Sequence, residues 1–361
     1  MADTSPALAR VARGDLCSGC GGCAAVAPDK ISMKVAGTGF LRPQQSSPLS
    51  DAEEDLIAAI CPGLGQKVVA GENQKDPLWG AFVSMQVGWS TDEPLRFRGS
   101  SGGALSMMLV HLLEEGIIDA VIQTAASPDL VIGNTTVVTT SVDEISKAAG
   151  SRYAPSAPLD GLSTHLATGK RFAFVGKPCD VAALRAWMAQ DPRISTRIPV
   201  LLSFFCAGVP SHKGGEAVLA KLGATLAEAK AFRYRGNGWP GTATVTLEDG
   251  TQRGMTYHES WGGVLSKHVQ NRCKICADGT GKAADIVCAD AWECDAQGYP
   301  VFDEAPGISL IVARTTLGAQ LISAAKDAGR IATESFDVRE LAAIQPGQRE
   351  RRRALLARLI G

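Results

Sequence analysis

The chain has 361 residues, enough for two or three domains around a substantial core. Its 36 Lys and Arg nearly balance its 37 Asp and Glu, which argues against nucleic-acid binding, where a basic excess is the rule. No apolar run reaches the roughly 20 residues that span a bilayer, and the richest, 198–209, is interrupted by Ser203.

The N-terminus carries Asp3 and Arg10 where a signal peptide would be apolar, so a cytoplasmic protein is expected. In such a chain, ten cysteines point to metal or redox chemistry rather than to disulfides.

Residues 1–75 read as a small ferredoxin-like iron–sulfur module, with a linker at 71–77 and a larger α/β or α+β domain over 78–361. Cys17, Cys20 and Cys23 form C-x2-C-x2-C, the opening of a ferredoxin-type 4Fe–4S site. Gly19, Gly21 and Gly22 let the backbone wrap closely and aim N–H groups at the sulfurs. A two-cluster bacterial ferredoxin would continue with Cys-Pro, whereas this chain has Ala27-Pro28. Cys61, in Cys61-Pro62-Gly63, is therefore assigned as the fourth ligand. Four thiolates also suit zinc, but the repeated spacing of three favours a cubane.

A strand is predicted over 82–89. Ser100, Ser101, Gly102 and Gly103 then lead into a helical pattern over 105–113. Small residues and hydroxyls at a helix start suit a pyrophosphate, through free N–H groups and the positive dipole end. A plain Ser N-cap with packing glycines is the other reading. Strands follow at 118–124 and 131–138. Arg152, in Gly150-Ser151-Arg152-Tyr153, either binds phosphate or sits in a surface loop. A buried strand at 172–175 ends in Gly176-Lys177-Pro178-Cys179 and precedes a helix over 181–188. Another, 198–205, ends in Cys206-Ala207-Gly208. Both cysteines fall at strand C-terminal ends, where open α/β sheets place ligands.

Gly236 to Gly241 matches G-x-G-x-x-G, but Pro240 and the alternating run 242–247 indicate a strand where a dinucleotide fingerprint needs a helix. The turn and its neighbours Arg233, Arg235 and Asn237 suit a cofactor's phosphate or ring. A helix is expected over 258–268. Cys273 and Cys276 form a C-x2-C pair, followed by a glycine-rich turn, Asp290 and Trp292. Cys179, Cys206, Cys273 and Cys276 make a second four-ligand set. Cys288 and Cys294 are left as spare thiols or as substitutes for a member of it. The five histidines show no metal spacing. A strand over 308–313, a helix over 317–328 and a basic amphipathic helix over 348–360 complete the pattern. The last presents a docking or solvated face.

Together these motifs resemble the coenzyme F420 hydrogenase/dehydrogenase beta-subunit family, whose relatives include 7-hydroxymethyl chlorophyll a reductase and a divinyl chlorophyllide vinyl reductase. The matching pieces are Cys17 to Cys23, Cys61-Pro62-Gly63, Ser100 to Gly103, Gly150 to Tyr153, Gly176 to Cys179, Phe205 to Gly208 and Arg272 to Cys276, in family order along nearly the whole chain. The resemblance implies an iron–sulfur flavoprotein that binds FAD and one or two 4Fe–4S clusters, and with two cysteine sets two clusters are expected here. It also assigns Lys177, Asp290 and Trp292 to the flavin site. One departure is Ala289, where the family's Ala-Asp-Ile-x-x-Gly-Asp-x-Trp has Gly.

Clusters carry single electrons and a flavin accepts two, so FAD belongs between cluster and substrate. The expected function is a flavin-dependent oxidoreductase, ferredoxin-linked or deazaflavin-linked, passing electrons from a ferredoxin-like donor to a small organic acceptor. The alternatives are a non-catalytic electron-transfer subunit of a larger complex and a zinc-bound interaction protein. The sequence identifies no catalytic residue and no substrate ring system, and self-association as a homo-oligomer stays open.

Overall fold

An eight-stranded mixed sheet organises the chain. The computed structural model describes residues 4–66, 76–293, 301 and 303–360; Cys294 and positions 71–75 of the expected linker lie outside them. In chain order the strands are β1 Ile31–Val35, β2 Leu41–Gln45, β3 Ser84–Ser90, β4 Ala120–Ala126, β5 Asn134–Thr139, β6 Phe172–Val175 and β7 Val200–Phe204. They continue with β8 Ala229–Arg233, β9 Thr242–Leu247, β10 Gln252–Thr256, β11 Ile286–Asp290, β12 Ser309–Ala313 and β13 Ile331–Ser335. The large sheet has the order β13-β3-β12-β11-β7-β6-β4-β5. Its centre, β11-β7-β6-β4, is parallel, and antiparallel strands flank it on both sides.

The central strands read as unbroken apolar runs because both faces are covered. Phe172, Phe174, Leu201 and Val287 point to one side, under helix Pro178–Gln190. Their neighbours Ala173, Val175, Leu202 and Ile286 point to the other, under helices Ala104–Glu114 and Thr316–Asp327. This is the two-residue alternation of a pleated strand. Strands β10-β9-β8 form a separate antiparallel sheet that packs on helix His212–Lys221 through Phe232, Val245, Val218 and Leu219.

Two expected helices are not continuous. The 258–268 segment splits into turns His258–Gly262 and Leu265–His268, because Gly262-Gly263 interrupts it and Gly263 N bonds back to His258 O. The C-terminal pattern divides into helices Pro346–Arg353 and Leu355–Ile360. Among the described residues, no helix is long and apolar enough to cross a membrane.

The N-terminal segment comprises helices Pro6–Arg13, Gly22–Val26 and Asp51–Ile60 around the hairpin β1-β2. Ser50 and Glu53 close a capping box on the third helix. The segment has a small core of its own, with Leu8, Ile31 and Ile57. Ala25 and Ile60 nevertheless belong to the main core, beside Leu159, Leu162, Val181 and Leu184. Backbone and side chain reinforce the join: Leu159 N donates to Cys20 O at 3.0 Å and Ser163 Oγ to Ala25 O at 2.7 Å. The first cysteine set is thus built onto the main sheet's helices. Ile60→Ala should then lower the stability of the whole chain by about 2–5 kcal/mol. Urea unfolding followed by fluorescence and by far-UV circular dichroism should give one coincident, shifted transition, whereas an unchanged main transition would show the segment to be independent.

Candidate cofactor cavity and two cysteine sets

Parallel pairing brings the C-terminal ends of β6, β7 and β11 to one edge of the sheet, where Val175 pairs with Leu202 and Phe204 with Cys288. Beyond these ends come Cys179, Cys206 and, on β11 itself, Asp290. A cavity of about 1070 Å³ opens there.

The first cysteine set lies in the loop before and within helix Gly22–Val26, with Cys61 capping helix Asp51–Ile60. Burial pushes all four thiols up, Cys20 to about 12, and charge repulsion from neighbouring sulfurs adds to this at Cys20, Cys23 and Cys61. Backbone N–H groups of Gly19, Gly22, Ala24, Gly63 and Leu64 point at the sulfurs and pull the other way. Such donors favour thiolate once metal replaces the proton. In the second set, Cys179 occupies the first turn of helix Pro178–Gln190, and Cys273 belongs to the short helix Asn271–Lys274. Burial drives Cys206 up to about 12, with Cys273 and Cys276 adding to the effect. All four sulfur-bearing residues line a second, small cavity of about 20 Å³.

Among the described residues, no three His, Cys, Asp or Glu side chains are grouped to hold a single metal ion, and every described cysteine is free. A cubane asks for a wider arrangement, one thiolate to each iron. Two sets of four thiols that feel one another electrostatically, with inward N–H groups, fit that chemistry. Cys288 belongs to neither set: it sits on β11, packs among the apolar residues under helix Ala104–Glu114, and is pushed to about 12 by burial alone.

The large cavity has three distinct walls. At one, helix Ala104–Glu114 begins without a side-chain cap, and its first-turn residues Leu105 and Ser106 face the space. The turn before it needs glycine: Gly102 and Gly103 both have left-handed backbone, and a Cβ on Gly102 would stand 2.9 Å from Ser309 N. A second wall holds Lys177 and Arg152. Lys177 is buried against Asp180 at 2.8 Å and Ser156 Oγ at 2.9 Å. Burial opposes its charge, but Asp180 and the thiols of Cys179 and Cys206 outweigh that and hold it protonated. Arg152 spends Nε on Asn134 and Nη2 on Gly133 O. The third wall is aromatic. Trp292 stacks with Trp239, centroids 5.0 Å apart, and with Tyr257 at 5.6 Å. Arg235 lies over Tyr257 and Trp292 and grips Asp290 with two bonds of 2.8 and 2.7 Å, while Trp239 Nε1 donates to the same carboxylate at 2.9 Å.

An uncapped helix start, two cations and an aromatic wall suit a dinucleotide with a planar ring. Ser100, Ser101, Gly103, Arg152, Lys177, Arg235, Asp290 and Trp292 all line this cavity. Gly102, Arg233 and Asn237 do not. Gly102 is packed against the Ser309 backbone, Arg233 turns towards the carbonyls of Arg98 and Ala149, and Asn237 serves its loop through a left-handed backbone. Ser101 faces the cavity yet uses its hydroxyl to tie down Ala289 O and Ile308 O. Sequence reasoning missed Tyr257, Trp239, Ser156 and Gln270. The one local hint was the clustering of Trp and Tyr around the glycine-rich turn.

Residues 85–163 match the N-terminal part of the family described as coenzyme F420 hydrogenase/dehydrogenase, beta subunit, and residues 169–339 match its C-terminal part. The chain is 25% identical over 291 residues to the coenzyme F420 hydrogenase subunit beta of Methanosarcina barkeri, covering 76% of this chain and 87% of that one. It is 23% identical over 247 residues to the F420-dependent formate dehydrogenase 1 subunit beta of Methanococcus maripaludis, covering 68% of this chain and 60% of the relative. Its fold is similar to a chain of the F420-reducing NiFe hydrogenase complex from Methanosarcina barkeri, with a TM-score of 0.62 and 22% identity, over 80% of this chain and 96% of that one. With matches to both halves of the family in order along the chain, this protein belongs to the coenzyme F420 hydrogenase/dehydrogenase beta-subunit family.

Proposed function

We propose that this chain is the electron-transfer subunit of a hydrogenase- or dehydrogenase-type complex, with FAD in the large cavity and a 4Fe–4S cluster on each cysteine set. The observation that carries this reading is continuity: one cavity is lined by the uncapped helix start at Ser106 and also by Cys206 and Cys273 of the second set. The relatives are named as subunits, which supports this reading over a free-standing ferredoxin-linked reductase. When bound, the clusters would supply single electrons and the flavin would exchange them for a two-electron step. The acceptor is then a small organic molecule, with coenzyme F420 the first candidate from the relatives' names. The donor is a partner subunit or a ferredoxin meeting the first cysteine set.

The chain's own residues do the holding. Helix Ala104–Glu114 offers N–H groups to a phosphate, Lys177 supplies fixed positive charge, and Trp292 with Tyr257 presents a flat wall for a ring. The chain alone should exchange electrons with one-electron dyes but oxidise neither hydrogen nor formate. Turnover should appear only when partner subunits are added, and rapid turnover by the isolated chain would refute the subunit reading.

Anaerobically purified protein should hold about eight iron and eight sulfide per chain. Cys17→Ala should remove about half of the iron and leave the flavin. Stoichiometric zinc without sulfide would overturn the cluster assignment.

Ser106→Asp places a carboxylate where the phosphate is expected. A carboxylate in a helix's first turn stabilises the helix by about 0.3–1 kcal/mol, so a loss of cofactor could not be ascribed to a weaker helix. Retention of FAD through gel filtration should fall at least about tenfold, a cost of about 1.4 kcal/mol or more. Undiminished FAD would remove this helix from the site.

A further inference from the structure

The two cysteine sets meet across Gln270 and Arg272, both buried. Gln270 Nε2 donates both to Ser18 O, between Cys17 and Cys20, and to Cys273 Sγ, each at 3.4 Å. Arg272 is buried and donates from Nη2 to Pro62 O at 3.0 Å, next to Cys61. The same side chain lines the small cavity with Cys179, Cys206, Cys273 and Cys276. Its Nε–H has no hydrogen-bond partner among the described residues. A buried guanidinium is costly unless negative groups face it. The cavity Arg272 lines holds all four cysteines of the second set, and the carbonyl it grips adjoins Cys61 of the first.

We propose that Arg272 is the shared counter-charge of both cysteine sets, a positioning residue that raises the reduction potential of a cluster bound on either one. The inference rests on the two-cluster reading above. Reduction of a cluster by an outside one-electron reductant adds one negative charge and moves no atom. A fixed positive charge in a low-dielectric interior stabilises that reduced form. Arg351 provides the contrast: among the described residues its hydrogen bonds go to Cys206 O at 3.4 Å and Cys273 O at 2.7 Å, both in the second set.

The test uses the full chain, purified anaerobically and titrated with dithionite under electron paramagnetic resonance, with iron and sulfide measured for each variant. Arg272→Gln should lower both midpoint potentials, each by about a tenfold change in the one-electron equilibrium, or ~59 mV. Arg351→Gln should lower only one, and Arg272→Lys should leave both close to the wild type. Wild-type protein without iron would refute the cluster reading itself. Two clusters with unchanged potentials in Arg272→Gln, or a shift confined to one cluster, would overturn the role of Arg272. If Arg272→Gln fails to load, retention of both clusters by Arg272→Lys supports the shared charge. Loss of iron from one set alone, or equal loss in both variants, overturns it.

Discussion

The parallel pairing of β6, β7 and β11 is the constraint on which the site depends. Parallel strands share a direction, so their C-terminal ends open at one edge, where ligands bind in sheets of this kind. Here each end supplies a different part: Cys179 after β6, Cys206 after β7 and Asp290 on β11. A one-residue slip between β7 and β11 would turn Val287 and Ala289 out of one core and Ile286 and Cys288 out of the other. Both faces are covered, so the register is specified twice, and with it the separation between the second cysteine set and the aromatic wall.

The Arg235–Asp290 pair fastens the small sheet's turn to β11. Arg235 is almost wholly buried, and it also donates to Pro240 O at 2.6 Å. Breaking such a pair by removing one partner costs about 3–5 kcal/mol, because the other charge is left buried and unpaired. Arg235 is thereby committed to holding Trp239, Tyr257 and Trp292 in place, and its guanidinium is not available to clamp a phosphate. Lys177 and the helix start at Ser106 line the other two walls. Both cations are paired with a carboxylate, Arg235 with Asp290 and Lys177 with Asp180, so the uncapped helix start is the positive feature left without a partner side chain.

What was legible in the sequence was local. The spacing of Cys17, Cys20 and Cys23 and of Cys273 and Cys276 identifies thiol pairs because a single turn sets their separation. Strands β6, β9 and β12 were readable as short apolar or alternating runs between turn residues. Strands β10 and β13 were not, because Gln-Arg-Gly-Met-Thr and Ile-Ala-Thr-Glu-Ser carry little apolar pattern and gain their pairing from neighbours at sheet edges. Trp239 and Tyr257 are far apart in sequence from Trp292, and only the placement of the small sheet stacks them on it. Ala289 is this chain's departure from the family motif. It lies within β11 with an ordinary strand backbone, its methyl joins the apolar core, and its carbonyl still accepts from Ser101.

The join at Ile60 and the bridge at Gln270 bear on how electrons could enter. A first cysteine set on a free module could swing between a donor and the rest of the chain. Here its helix shares the main core, its Cys20 carbonyl is bonded to Leu159, and its Ser18 carbonyl is bonded to Gln270 beside Cys273. Moving it would expose apolar surface and break buried hydrogen bonds together. The first set is therefore held against the second, and its residues are half-buried rather than sealed. On the reading proposed above, a donor to the first set would have to come to it rather than be reached by it.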